Sequence, residues 1–507
     1  MVNIIRLGEA EALLEPDPAA EYPLYLYVQP DFVLYTRSIK YLLNDERVSP
    51  RVCPDGISYL LQSGVVPPPA TIYKDIYVLG IGDSAVIRTC GTVMSVTFRH
   101  RFPFTLDVTQ HTRYRKPDSR EVLSALATSL EERLHSDKPS FLFHSAGKDS
   151  NMIALAASGA GLQDRLTLIT HKSKGKADES TISSEIAKKL GYKHIILNEV
   201  DKLHDSHIDA INHFFCSAPF PGVDPVTLAY PVYTTQLNEL VGSNLIDGGG
   251  NDCYMMTPTT RMDHYRLRML ALTSKLIPIR NQLLTESRLV PLFKTPAEYY
   301  GMSGLGYRDA RCVYAGANDH YLDWRARSLN ESGDWVEHKT DIHTTITAAE
   351  VHIRKIRNFA DSVDSNLVLP FANERVVSCF SKLHESLLFD RRTGKNKLII
   401  REILRNELGL DSDAIGKMGY SYDFSSVIAF NWEWIDSVIK GCDLWVTENM
   451  EVLIARLLRV FKSDHKYSKM CARLIYRIFL ISAWYMHCKY LTHNKSLSNE
   501  GINNSVI

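Results

Sequence analysis

Between Ser119 and Val200 the sequence alternates between helical and strand patterns at short spacing. SREVLSALATSLEERL has the period of an amphipathic helix, PSFLFH of a buried strand, NMIALAASGA of a helix and RLTLITH of a strand. ESTISSEIAKKLG and HIILNEV then repeat the pair. No other feature restricts the fold as much. Strands separated by helices at this distance predict a parallel, doubly wound α/β sheet, whose ligand crevice lies outside the carboxyl ends of its strands.

The first strand of that sheet runs straight into SAGKDS, so the turn Ser145–Ser150 falls where such a crevice opens. Small residues at Ser145, Ala146 and Gly147 allow backbone N–H groups to approach an anion, and the following helix N-terminus adds its positive dipole end. The motif GxxxxGK[ST] is absent, so transfer of a terminal phosphoryl group is not the expected chemistry. Taken alone, the hexapeptide is equally compatible with an ordinary strand-to-helix turn that has Asp149 in its first helical turn.

The flanking regions read differently. Residues 24–115 carry short β-branched and aromatic runs (LYLYV, DFVLYT, DSAVIRT, MSVTF) broken by PPPA and GIGD, which predicts a small β-rich domain over residues 1–115. Beyond about residue 260 the patterns are mostly helical: DHYRLRMLALTSKLI, TAAEVHIRKIRNFADSV, NKLIIREILRNEL and MEVLIARLLRVF. This half should form a helical layer closing over the sheet, within a second domain spanning residues 116–507.

The chain has 507 residues, 45% of them hydrophobic, enough for two or three packed domains. Its 58 basic and 58 acidic side chains balance, which gives no electrostatic reason to expect nucleic acid or a membrane surface as partner. The nine cysteines are scattered singly, without CxxC or zinc-finger spacing, and predict reduced thiols in a cytoplasm. MVNIIRLGEAEALLEP lacks the pattern of a signal peptide. LIYRIFLISAWYMHCKYL is interrupted by Arg477, His487 and Lys489 and reads as a buried helix rather than a membrane span.

SAGKDS resembles the SGGxDS pyrophosphate loop of the ATP pyrophosphatase (PP-loop) superfamily, and further stretches single out its asparagine synthetase branch. ADESTISSEIAKKLGYKHIIL is similar to the segment after that family's second strand. LIDGGGNDCYM resembles its SGEGxDE loop at Gly248, Gly250 and Asp252. LVLPFANERVVSCF…LLFDRRTGKNKLIIREILR resembles its PFLD…K…LR region, and GKMGYSYDF its RxKxGF element. The resemblance implies ATP and Mg²⁺ as cofactors and an amide-forming reaction: ATP adenylates a carboxylate, pyrophosphate leaves, and an amine or ammonia displaces AMP.

Such a site must hold a highly charged leaving group. Asp149 and Asp252, each after a glycine-rich turn at the end of a predicted strand, are the expected magnesium-linked carboxylates, with helix capping as their simpler role. Lys417 and Lys397 are the expected catalytic cations for the α-phosphate and pyrophosphate, Lys417 on the family's phosphate-binding lysine. Ser145, Ala146, Gly147, Asp149, Ser150, Gly248 and Gly250 are the expected nucleotide-binding set. Phe143 stands where relatives pack adenine, and an ordinary core phenylalanine fits the pattern equally.

Departures from the family narrow the reading. Gly249 replaces the glutamate of SGEGxDE, which in asparagine synthetases lies beside the substrate, so the expected acid is not aspartate. Cys253 and Asn373 replace two further acids. Position 2 is Val2 rather than the cysteine nucleophile of glutamine-dependent relatives. FVLYTRSIKYLL and SGVVPPPATIYKDIYVL still resemble the second half of the glutaminase domain, so residues 1–115 read as a truncated, inert remnant. The nitrogen then comes from ammonia, free or from a partner subunit, or from an amine of the substrate, as in β-lactam and carbapenam synthetases and lasso-peptide cyclases. Val363 and Lys395 fall where β-lactam formers carry a Tyr/Glu dyad, which predicts its absence.

The leading expectation is a carbon–nitrogen ligase of specialised metabolism, acting on a small-molecule or peptide carboxylate and amine. Amidation of a uronic acid in a surface polysaccharide and an inactive binding subunit are the alternatives, with a tRNA-modifying enzyme third. A precursor-processing partner or a second copy of the chain is compatible with the reading. In SAPFPGVDPVTLAYPVY, Asp224, Tyr230 and Tyr233 are candidate substrate contacts or simply packed residues.

Overall fold

In the strand Leu24–Val28 successive side chains point to opposite faces, and both faces are buried. The computed structural model describes residues 1–9, 11–106, 115–174, 178–257, 304–319, 334–415 and 422–491, with scattered positions between 259 and 287. The N-terminal part holds two antiparallel sheets. One orders β1 (Asn3–Arg6), β4 (Phe32–Thr36), β3 (Leu24–Val28) and β5 (Ile76–Leu79); the other orders β2 (Ala12–Leu14), β6 (Asp83–Cys90) and β7 (Val93–His100). Leu24, Leu26, Val33 and Leu79 face Ala85, Ile87 and Met94 of the second sheet. Tyr25, Tyr27 and Leu34 face the opposite way, onto helices α1 (Ile39–Leu43) and α2 (Pro54–Ser63).

Five parallel strands form the central sheet: β8 (Ser140–Phe143), β9 (Thr167–Lys172), β10 (Lys193–Asn198), β11 (Asn244–Ile246) and β12 (Asn366–Val368). Their spatial order is β10-β9-β8-β11-β12. The direction of winding therefore reverses between β8 and β11, and that switch point is where an open α/β sheet binds ligand. Helices cover both faces, as the alternation along β8 requires. Leu142 packs beneath α3 (Ser119–Arg133), α4 (Lys148–Gly159) and α5 (Ser180–Leu190), with Leu126, Met152, Ile153 and Ala187. Phe141 belongs to the other core, with Phe214, Phe215 and Phe359. Each such fully buried side chain stabilises the fold by about 1.5–3 kcal/mol relative to exposure.

The C-terminal helix Ser468–His487 buries Ile475, Phe479, Leu480 and Trp484 in that second core. Among the described residues no helix is long and apolar enough to cross a membrane. The helices expected in NKLIIREILRNEL and MEVLIARLLRVF are present, as Leu398–Leu408 and Thr447–Phe461, whereas most of DHYRLRMLALTSKLI lies outside the described residues. Two elements differ from expectation. The fifth strand, β12, is only three residues long and precedes Pro370, too short to register as a periodic run. TAAEVHIRKIRNFADSV is not one α-helix: His343–Ile353 is a π-helix that becomes α-helical at Arg354.

Candidate active site

At the switch point the loops after β8 and β11 press together, and their glycines permit the approach. A β-carbon on Gly248 would stand 3.0 Å from Cβ of Asp149 and 3.3 Å from the backbone nitrogen of Ser150. Gly250 has φ +107° and lies against Ala372, a conformation and a clearance that L side chains rarely accept. The chain then turns into the short helix α6 (Asp252–Met255), which places Asp252 opposite Asp149.

Lys397 joins them. Its Nζ lies 2.7 Å from Oδ2 of Asp149, 2.9 Å from Oδ1 of Asp252 and 2.9 Å from Oδ1 of Asn251. Three acceptors meet the three donors of an ammonium, and Asn251 donates from Nδ2 to Asp149 Oδ1 at 2.6 Å. Burial opposes charge on Lys397, but Asp149 and Asp252 outweigh it and hold the ammonium well above its usual range. The backbone at Lys397 has φ +58°, a left-handed conformation that costs a non-glycine residue on the order of 1 kcal/mol. The ion pairs hold it there.

The phosphate cradle differs from the sequence expectation in one respect. The N–H groups of Ser145, Ala146 and Gly147 do not face open space: they donate to Ser150 Oγ (3.2 Å), Glu179 Oε2 (2.8 Å) and Ser145 Oγ (3.0 Å). The loop is braced by its own serines and by Glu179 of the ADES segment. Gly147 stands at the N-cap of α4 and offers no side-chain cap, which leaves the helix's first-turn N–H groups as the donors for an anion.

Above this floor lies a cavity of about 260 Å³, and Phe143, Ser145, Gly250 and Asp252 are in its wall. Phe143 packs edge-on against Tyr230, with ring centroids 5.4 Å apart. Tyr230 also lines the cavity. Tyr233 and Asp224 stand behind it: Tyr233 is buried and hydrogen-bonded to His171 Nδ1 at 2.7 Å, and Asp224 Oδ2 lies 3.3 Å from Lys355 Nζ. Val363 is buried in the core and Lys395 pairs with Asp413, so neither reaches the cavity. Lys417 lies outside the described residues.

Two replaced acids have structural explanations. Asn373 caps the helix Glu374–Phe380 by accepting from the Arg375 N–H, a place where Asn and Asp serve equally. Cys253 is buried, and burial pushes its thiol up, so it is an inert packing residue.

Several cavity residues escaped the sequence reading. Asp247 directly follows β11, in place of the small first residue of the family loop, and Lys355 comes from the helix beyond the π-helix. His343, Thr344, Ala348, His352 and Ile353 present one face of the π-helix to the cavity. A π-helix at a ligand cavity is a frequent functional feature. Ile81, from the N-terminal part, closes the wall. His100 ties that part to the segment leading into the π-helix: Nδ1 is 2.8 Å from Asp83 and Nε2 is 3.0 Å from Asp341. No sequence signal could have paired residues this far apart.

The floor is an oxygen-rich set of two carboxylates and an amide around one cationic point. Hard oxygen donors suit Mg²⁺, which takes one or two carboxylates and completes its shell with water and phosphate. Asp149 and Asp252 fit that role. Among the described residues no group of three or more His, Cys, Asp or Glu is arranged to hold a metal without such help. Residues 121–424 match the protein-family model described as asparagine synthase. No curated protein matches the chain.

Proposed function

Because this chain belongs to the asparagine synthase family, whose members are ATP-using ligases that form carbon–nitrogen bonds, we propose that it adenylates a carboxylate and couples it to an amine or ammonia, releasing AMP and pyrophosphate. The convergence of Asp149 and Asp252, from separate loops, on Lys397 carries the reading. Asp149 and Asp252 would hold Mg²⁺, which when bound neutralises charge on the departing pyrophosphate. Lys397 places a fixed positive charge beside the same phosphates, where it is worth more than in water. The first turn of α4 supplies N–H donors, and Phe143 with Tyr230 gives the base an aromatic wall. Lys417 is assigned the α-phosphate on its place in GKMGYSYDF.

The acid is not aspartate, since Gly249 stands where the family carries its substrate-side glutamate. A natural-product or peptide acid is the leading substrate class. Residues 1–115, a remnant of a glutaminase-like domain in this reading, serve as a wall through Ile81 and His100 rather than as a source of ammonia. ATP–pyrophosphate exchange with the purified chain and a panel of amino, uronic and peptide acids tests the proposal. Exchange dependent on one class of acid supports it; no exchange with any acid, together with no nucleotide binding, would establish a binding subunit instead.

A further inference from the structure

Amide formation from an acyl-adenylate releases a proton. The amine nitrogen attacks the acyl carbon, the carbon–oxygen bond to AMP breaks with its electron pair going to phosphate, and the nitrogen sheds a proton. An amine enters from water mainly as an ammonium and must also lose that proton before it can attack, so a base beside the acyl carbon accelerates the step. Where β-lactam formers carry their dyad this chain has Val363, which is core, and Lys395, which is engaged by Asp413.

Resting on the ligase reading, we propose that Asp247 is the general base that takes the proton of the amine nucleophile. Asp247 stands at the carboxyl end of β11 and lines the cavity together with Asp252 and Lys355. Its Oδ1 accepts the Gly249 N–H at 2.8 Å, which fixes the carboxylate. Oδ2 has no hydrogen-bond donor among the described residues and can accept from a substrate.

The same geometry accounts for Gly249. A β-carbon there would lie 3.0 Å from Asp247 Oδ1 and 3.2 Å from Ile353 Cγ1. A glutamate at 249 and an aspartate at 247 compete for one space, and Ile353 fills the rest of it. The acidic group of the loop has thus moved two residues upstream rather than disappeared. Burial raises the Asp247 carboxyl above its ordinary range, with the Gly249 N–H and Lys355 acting against the shift and Asp149 adding to it. A carboxylate so placed is a stronger base than one in water.

Other bases on the wall are worse placed. His171 is held between Tyr233 and Glu199, and His144 donates from Nε2 to Asn151 Oδ1 while burial pushes its pKa down to about 4. His343 and His352 are the remaining competitors. An amine therefore approaches from the side of Asp247 and Lys355, and the substrate class is one whose nucleophile arrives as a cation, ammonium included.

Hydroxylamine and ammonia, offered to the full-length chain with the acid that supports exchange, separate the possibilities. Hydroxylamine is largely neutral at neutral pH and captures an acyl-adenylate without a base, whereas ammonia must be deprotonated. In Asp247→Asn the ratio of amide to hydroxamate should fall about 10²-fold or more relative to wild type, while hydroxamate formation reports that the variant is folded. An unchanged ratio, or a fall of the same size confined to His343→Gln or His352→Gln, overturns the assignment. Wild-type protein that shows no exchange with any acid removes the ligase reading itself, an outcome distinct from the first.

Discussion

Two lysines stand beside the cavity, each facing a pair of aspartates, and the two groups are arranged differently. Lys397 touches both of its carboxylates within 3 Å, and those carboxylates are partly exposed, Asp149 by 29% and Asp252 by 38%. Lys355 makes a looser pair with Asp224 at 3.3 Å, nearly out of solvent, and acts on Asp247 only electrostatically. The first arrangement balances its charge and leaves oxygens open to an incoming cation and polyphosphate. The second leaves a carboxylate able to accept a proton. One end of the cavity is built for charge neutralisation and the other for proton transfer.

The largest effect should come from Lys397→Met. Loss of a fixed cation beside the phosphates is expected to lower exchange about 10²–10³-fold. Thermal stability should change less, because the exposed aspartates remain solvated. A variant that exchanges normally would mean that Lys397 only holds its strained loop, and the contrast between the two ends would collapse.

Lys355→Met tests the opposite end through stability. Asp224 is 8% exposed, and removing one partner of a buried pair leaves the other charge uncompensated, at a cost of about 3–5 kcal/mol. The longer contact and the Val226 N–H bonded to Asp224 at 2.8 Å argue for the lower end. The double variant Asp224→Asn/Lys355→Met should recover much of the loss in urea unfolding. If the single and double variants are equally unstable, Lys355 acts by packing and its charge is irrelevant.

The contrast was half visible in the sequence. β8, α4 and the loop Gly248–Asp252 follow from local pattern: an apolar strand, small residues, then helix, with the glycines needed for close approach. Lys397 was found through its neighbours in NKLIIRE. Asp247 and Lys355 were not, because Asp247 occupies a place where the family loop has a small residue and Lys355 lies inside an ordinary-looking helical period. Their relation exists only as a distance. The π-helix was missed for a related reason: its wider turn alters which residues share a face, and periodicity over eleven residues does not separate it from an α-helix. β12 was missed because three residues form too short a run, and the sheet around it decides its conformation.

Both ends share the π-helical wall, and His100 fastens that wall to the N-terminal sheets, which gives the smallest effect a pH signature. Burial disfavours the imidazolium, but hydrogen bonds to Asp341 and Asp83 outweigh it and raise His100 from the ordinary histidine range to about 9. A group whose pKa is higher in the folded state stabilises fully below its unfolded value and loses that contribution as pH rises through the folded value. His100 should therefore stabilise the fold by about 2–3 kcal/mol at pH 6 and progressively less from pH 6.5 to beyond 9. Unfolding curves of wild type and His100→Gln should differ most near pH 6 and converge toward pH 10. A gap that stays constant across that range would mean the ring acts by shape alone, and the wall common to both lysine sites would then be independent of charge.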